Sequence, residues 1–137
     1  ALPVAYAWQL GPDMPIYVAI GALLGHCFPL YLKFKGGKGV ATALGVSLAL
    51  MPLVGLAMCA TWLVSAFAFR ISSLAALLAF LFAPLYAYFL EVPQLFEVSF
   101  VISGLVILRH HENIGRLLRG EEPRIGGTKK PDGETAP

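Results

Sequence analysis

Lys33, Lys35 and Lys38 interleave with Gly36, Gly37 and Gly39 in the stretch Lys33-Phe34-Lys35-Gly36-Gly37-Lys38-Gly39. The ammonium groups bring positive charge. The glycines let the backbone turn sharply and present its N–H groups to a ligand at close range. At a helix end that combination suits a phosphate. The same residues would also serve as a polybasic turn at a membrane surface that only sets orientation. The order Gly-Gly-Lys-Gly is not a nucleotide-binding P-loop, which needs a wider gap before Gly-Lys and a hydroxyl residue after it. ATP hydrolysis therefore has no support.

A second candidate group is His110-His111-Glu112-Asn113 with Arg116 and Arg119. His110 and Asn113 are three apart and share a helical face, and Glu112 is placed to pair with Arg116. An imidazole and an amide can orient a polyol, and arginines hold anions. A basic collar snorkelling at a helix end accounts for the same residues. Ser72 and Ser73 follow Arg70 at a predicted helix start, where a serine caps the helix or binds phosphate. His26 lies within an apolar segment, which makes it either a functional ionisable group or a neutral imidazole bonded to a carbonyl. Adjacent helical residues point about 100° apart, so His26 is badly placed to activate Cys27. Cys27 and Cys59 read as small packing residues, and histidine and cysteine spacings suit no metal site. The basic residues lack interleaved aromatics, which argues against nucleic acid as a partner.

These groups need elements to hold them, and composition says which. The chain has 137 residues, of which 58% are apolar and 13% charged, with net charge +2. Soluble domains carry roughly 25% charged residues. Between Gly39 and Arg109 the only charged side chains are Arg70, Glu91 and Glu97. Apolar stretches of about 20 residues cross a bilayer as helices. The expected fold class is all-α, a polytopic transmembrane bundle with about five membrane helices here, two of them short.

Gly11-Pro12-Asp13 predicts a turn, followed by a span from Met14 to Leu32. Residues 40–69 exceed one span and fall short of two; Met51-Pro52 divides them into two short helices. A span from Leu74 to Leu90, a turn over 91–94 and a last helix from Leu95 to Leu108 follow. Residues 1–125 are expected to form one membrane domain and 126–137 a disordered polar tail. The lysine cluster and the Arg109–Arg119 cluster should both be cytoplasmic. An even number of crossings must separate them, which makes 40–69 a hairpin and brings the Arg70 loop to the same face. Asp13, Glu91 and Glu97 fall opposite. Three polar clusters, distant in sequence, are thus expected to converge.

Gly25-His26-x-Phe28-Pro29 with Phe34-Lys35-Gly36-Gly37-Lys38-Gly39-Val40-Ala41-Thr42 closely resembles the second motif of the bacterial acyl-phosphate:glycerol-3-phosphate acyltransferases, the PlsY family. His110-x-x-Asn113-Ile114-x-Arg116-Leu117-x-x-Gly120-x-Glu122 resembles the third, and Ser73-Leu74 after Arg70 a serine loop between them. The family's earlier Ser/Gly/Asn-rich motif has no counterpart, so the chain resembles roughly the last two-thirds of a seven-helix fold, truncated at its N-terminal side. The resemblance implies acyl transfer from acyl phosphate to the 1-hydroxyl of glycerol 3-phosphate, giving lysophosphatidic acid and phosphate in phospholipid synthesis, with no cofactor and no metal. It implies catalytic roles for His110, Asn113 and Lys38. Lys35, Gly36, Gly37, Lys38 and Gly39 would hold phosphate; Ser73 would hold the acyl-phosphate head; His110, Asn113 and Arg116 would hold substrate. The implied partners are membrane lipid and a PlsX-type acyl-phosphate synthase, and the implied site is the cytoplasmic face of a bacterial inner membrane.

Two other readings fit the residues less well. A transporter or channel subunit for an anionic solute would use short helices and an intramembrane histidine, but no inverted repeat is visible and no span carries a polar row. A non-catalytic anchor would bind anionic lipid through the lysines.

Overall fold

The computed structural model describes residues 9–11, 13–28, 38–90 and 94–127 of the chain, and among these all regular structure is helical. The helices are α1 (Met14–Cys27), α2 (Val40–Leu50), α3 (Pro52–Phe69), α4 (Ser72–Leu90), α5 (Gln94–Arg109) and α6 (His111–Leu118). The all-α expectation holds. α3 and α4 are long and apolar enough to cross a membrane; α1 and α2 are shorter apolar helices. Both faces of α3 are apolar, Val54 and Met58 inward and Leu63, Val64 and Phe67 outward. A helix apolar all round belongs in a protein core or in lipid.

Local sequence explains the boundaries. Phe28 leaves the helical region at φ −131°, ψ 60°, ending α1 before Leu32, where the expected span stopped. The residue before a proline is driven out of the helical region, and Pro29 follows Phe28. Met51 is extended at φ −137° and Pro52 begins α3, where its missing N–H costs nothing. The break at Met51-Pro52 is therefore as expected, but the arms are unequal: α2 has 11 residues and α3 has 18. Propensity marks a break and says little about how far each arm runs. Arg70 ends α3 in the left-handed conformation at φ 55°.

α3 packs along α4, α4 along α5, and α2 folds back on α3. Small residues make these approaches close. Ala75, Ala79, Ala83 and Ala87, four apart on α4, are all at most 1% exposed. A Cβ on Gly55 would lie 2.7 Å from the Leu48 Cα, so only glycine fits where α3 leaves the turn beside α2. Thr61 Oγ1 on α3 donates to its own helix at the Ala57 carbonyl, 2.8 Å away. It thereby accepts from the Tyr86 hydroxyl of α4 at 2.7 Å, which pins the two helices together. Leu23, Cys27, Val46, Leu50, Met51, Val54, Met58, Phe80, Ile102 and Val106 fill the centre.

Beyond α6 the chain does not trail away. Glu121 donates its amide to the Arg116 carbonyl at 2.8 Å, and the Ile125 amide reaches the Arg70 carbonyl at 2.6 Å. Residues 121–127 thus form a strap across the α3–α4 corner. The expectation of a disordered tail falls mostly on residues 128–137, outside the described residues.

Candidate active site

The polar groups meet at one end of the bundle. α5 stops at His110, whose amide donates to the Ile107 carbonyl at 3.0 Å, and α6 restarts with Ile114 N–H on the His110 carbonyl at 2.9 Å. This break separates a long apolar helix from a short amphipathic one; the expected end of the last helix at Leu108 falls one residue short of it, and α6 was not expected as a separate helix. His110 is 2% exposed and Asn113 4%. Asn113 faces inward while His111 and Glu112 face out.

Lys38 Nζ donates to Asn113 Oδ1 across 75 residues of sequence. Asn113 Nδ2 donates to Glu122 Oε1. Ser73 Oγ donates to the same oxygen at 2.6 Å, and Arg116 Nε donates to Glu122 Oε2 at 2.7 Å. Lys38, Ser73 and the His110–Asn113 pair therefore do converge, and Glu122 from the strap is the knot. Arg116 pairs with Glu122 and not with Glu112, because its Nε faces the strap. Burial alone would raise the Glu122 carboxyl. The three donors Ser73, Asn113 and Arg116, with the Arg116 charge, outweigh that and hold it below the usual range.

His110 Nδ1 lies 2.7 Å from the Val106 carbonyl. A carbonyl only accepts, so Nδ1 carries the proton and Nε2 keeps its lone pair. Burial pushes the imidazole below its ordinary value, and Lys38 adds to this; the Val106 bond and Glu122 pull the other way and lose. His110 is neutral at pH 7 and presents an acceptor.

Lys38, Ser73, His110, Asn113, Glu122 and Trp62 border a cavity of about 340 Å³. Against it lies an apolar groove of about 370 Å³ lined by Trp62, Leu63, Ala66, Phe67, Arg70 and Ile125. Among the candidate residues, Lys38, Ser73, His110 and Asn113 line the cavity, and Arg116 reaches it through Glu122. Gly39 has a packing role: it is left-handed at φ 78°, and a Cβ there would lie 2.7 Å from Cys27 Sγ. Lys35, Gly36 and Gly37 lie outside the described residues. His26 sits on the exposed side of α1 and Cys27 on the buried side, as their helical offset requires. Glu122 and Trp62 were not among the predicted site residues. Glu122 stood within the third motif; Trp62 carried no signal beyond its apolar run.

Comparison with known proteins now decides the family. The family model described as glycerol-3-phosphate acyltransferase matches residues 1–120. The chain belongs to the glycerol-3-phosphate acyltransferase family. The glycerol-3-phosphate acyltransferase of Nitrosomonas europaea is 51% identical over 120 residues, covering 87% of this chain and 60% of that protein. That of Jannaschia sp. strain CCS1 is 50% identical over 119 residues, covering 87% and 59%. The chain thus spans about three-fifths of the length of these relatives. Crystal structures of PlsY (YgiH), an integral membrane glycerol 3-phosphate acyltransferase, superpose with a TM-score of 0.84 at 38% identity. The lysophosphatidic acid form is matched over 90% of this chain and 65% of that one, the glycerol 3-phosphate form over 90% and 64%. This family member is a helical membrane protein.

Proposed function

We propose that this chain forms the catalytic core of an enzyme that moves a fatty acyl group from acyl phosphate to the 1-hydroxyl of glycerol 3-phosphate. The products are lysophosphatidic acid and inorganic phosphate. The observation that carries this reading is the polar cavity of Lys38, Ser73, His110 and Asn113 set against an apolar groove. Relatives carry the acyltransferase name, and the matched structures are of glycerol 3-phosphate and lysophosphatidic acid forms.

Acyl phosphate is already activated, so the protein's task is to align two anions and offset their repulsion. Lys38 and Arg116 supply charge; Ser73 and Asn113 supply neutral donors. His110 Nε2 accepts from the 1-hydroxyl and orients it toward the acyl carbon. The hydroxyl oxygen adds to that carbon, the bond to the phosphate oxygen breaks, and the proton ends on the leaving phosphate. We assign the proton to phosphate because His110 Nδ1 bonds a neutral carbonyl, not a carboxylate that would steady an imidazolium. Lys35, Gly36 and Gly37 would add to the phosphate grip.

The same reading places the cavity at the cytoplasmic face of a bacterial inner membrane, where basic clusters accumulate. A PlsX-type synthase would supply the acyl phosphate. The test is phosphate release from palmitoyl phosphate by the complete protein in vesicles. The reading expects release that depends on glycerol 3-phosphate; release indifferent to it, or none, overturns the reading.

A further inference from the structure

Trp62 borders both the polar cavity and the apolar groove, so the two meet there. From that junction the groove follows one face of α3. Trp62, Leu63, Ala66, Phe67 and Arg70 recur at intervals of three and four, the spacing that stacks side chains on one side of a helix. Ile125 adds a wall from the strap. Among the described residues that line the groove, Ala66 is the small one. Leu63 is 51% exposed and Phe67 83%, so both stand proud of the helix, whereas Ala66 is 9% exposed. A side chain that stops at Cβ among larger neighbours leaves a depression, and Ala66 supplies the floor of the groove.

An acyl phosphate carries its phosphate, carbonyl and chain in fixed order. With the phosphate among Lys38, Ser73 and Asn113, the chain leaves the cavity at its apolar border, beside Trp62. A helix rises about 1.5 Å per residue, so Ala66 lies about 6 Å further along α3, roughly five bonds of an extended chain. A long acyl chain reaches Ala66 and a chain of four carbons does not. Bilayer tails are as apolar as the groove, so a chain that enters it from lipid gains little transfer energy. What the groove supplies is a fixed path, which aligns the acyl carbon with the hydroxyl at the other end.

We propose that Ala66 sets the acyl-chain selectivity of this protein, by leaving room at the groove floor for a long acyl chain. The proposal rests on the acyl-transfer reading above. A larger side chain at position 66 fills the depression, lifts the chain off α3 and spoils the alignment of the acyl carbon. A donor too short to reach the position escapes the clash. Excess volume in a packed apolar site is poorly tolerated, and a change of one methylene in a substrate pocket alters kcat/KM by roughly 10–200-fold. Ala66 makes this selection from α3, a helix that carries none of the recognised motifs.

The test uses the complete protein in vesicles, with glycerol 3-phosphate and either palmitoyl phosphate or butanoyl phosphate. The quantity read is the ratio of kcat/KM for the two donors. Partition of each donor into the bilayer is the same for every variant and cancels when variants are compared. Ala66→Leu should lower the palmitoyl-to-butanoyl ratio by at least about tenfold, and Ala66→Val by less. An unchanged ratio, or a loss shared equally by the two donors, overturns the assignment and leaves Ala66 as a contact between helices. A second measurement needs no variant and serves if the leucine protein does not fold. A palmitoyl phosphonate, which cannot transfer, is bound to the wild type with a photoreactive diazirine at its seventh carbon. Label should fall on residues 62–67 of α3. Label found only on other helices or on lipid overturns the assignment and leaves the groove to bilayer lipid. A wild-type protein that transfers neither acyl group to glycerol 3-phosphate overturns the acyl-transfer reading instead.

Discussion

Arg70 and Ile125 are bonded twice, 55 residues apart: the Ile125 amide donates to the Arg70 carbonyl at 2.6 Å, and Arg70 Nη2 donates to the Ile125 carbonyl at 3.2 Å. This clasp holds the strap that carries Glu122 over Ser73, Asn113 and Arg116. Ile125→Pro removes the donating amide and should loosen the strap by about 1 kcal/mol. Hydrogen exchange at residues 121–124 should then rise about fivefold, with the α3 and α4 amides unaffected. Exchange unchanged in the strap would show that the clasp does not hold it.

Glu122 makes the strap sensitive to acid. Its carboxyl lies below the unfolded value of about 4.3, so the ionised form is favoured in the fold. Its contribution is complete above that value and is lost as pH falls through the lower folded value. Glu122→Gln keeps the shape and forfeits the Arg116 pair. The thermal midpoint of the wild type in detergent should exceed that of Glu122→Gln at pH 7, and the gap should narrow as pH falls below the unfolded value and close once it passes the lower folded one. A gap independent of pH would mean that charge is not what Glu122 provides.

His110 should show its neutral form in the rate. Because burial lowers its pKa, kcat should persist below pH 6.5 and fall only as the imidazole takes a proton at lower pH. His110→Asn can mimic Nδ1 but not Nε2, and should lose on the order of 10²-fold in kcat. His110→Gln places an acceptor nearer Nε2 and should retain more. Equal loss in both variants would contradict the assignment of Nε2 as the working atom.

Gly39 tests whether the lysine–glycine stretch is shaped by ligand or by packing. An alanine there meets left-handed strain of roughly 1–2 kcal/mol and the Cys27 sulfur at 2.7 Å. Gly39→Ala should therefore destabilise the protein by a few kcal/mol. Adding Cys27→Ala should restore the packing part and leave the backbone part. If Gly39→Ala alters only substrate affinity and leaves the thermal midpoint in place, Gly39 serves the ligand alone.

Much of this was legible before any coordinates. The charge-free intervals announced apolar helices, Met51-Pro52 announced the hairpin, and counting crossings between basic clusters brought Lys38 to the side of His110 and Asn113. Three features were not. The end of α5 near Leu108 was expected, but the restart as a separate helix from His111 to Leu118 was not. The unequal arms α2 and α3 reflect where neighbours end, which propensity does not encode. Glu122 stood in the third motif but gave no sign of its role, because its partner Ser73 lies 49 residues back and the Arg70–Ile125 clasp and the Arg116 contacts bring it there. Local patterns specify elements; a strap is specified by what it lands on.

The central claim is that segments far apart in the chain build one cavity acting as a unit on two phosphate-bearing substrates. The most direct measurement is a double-mutant cycle in kcat/KM for Lys38→Met and Asn113→Ala, using acyl phosphate and glycerol 3-phosphate with the complete protein in vesicles. Each single change should cost about 10²–10³-fold, and the double should cost little more than the worse single, because the two side chains share a bond and a task. Losses that simply multiply would contradict the account, since Lys38 and Asn113 would then be serving separate sites.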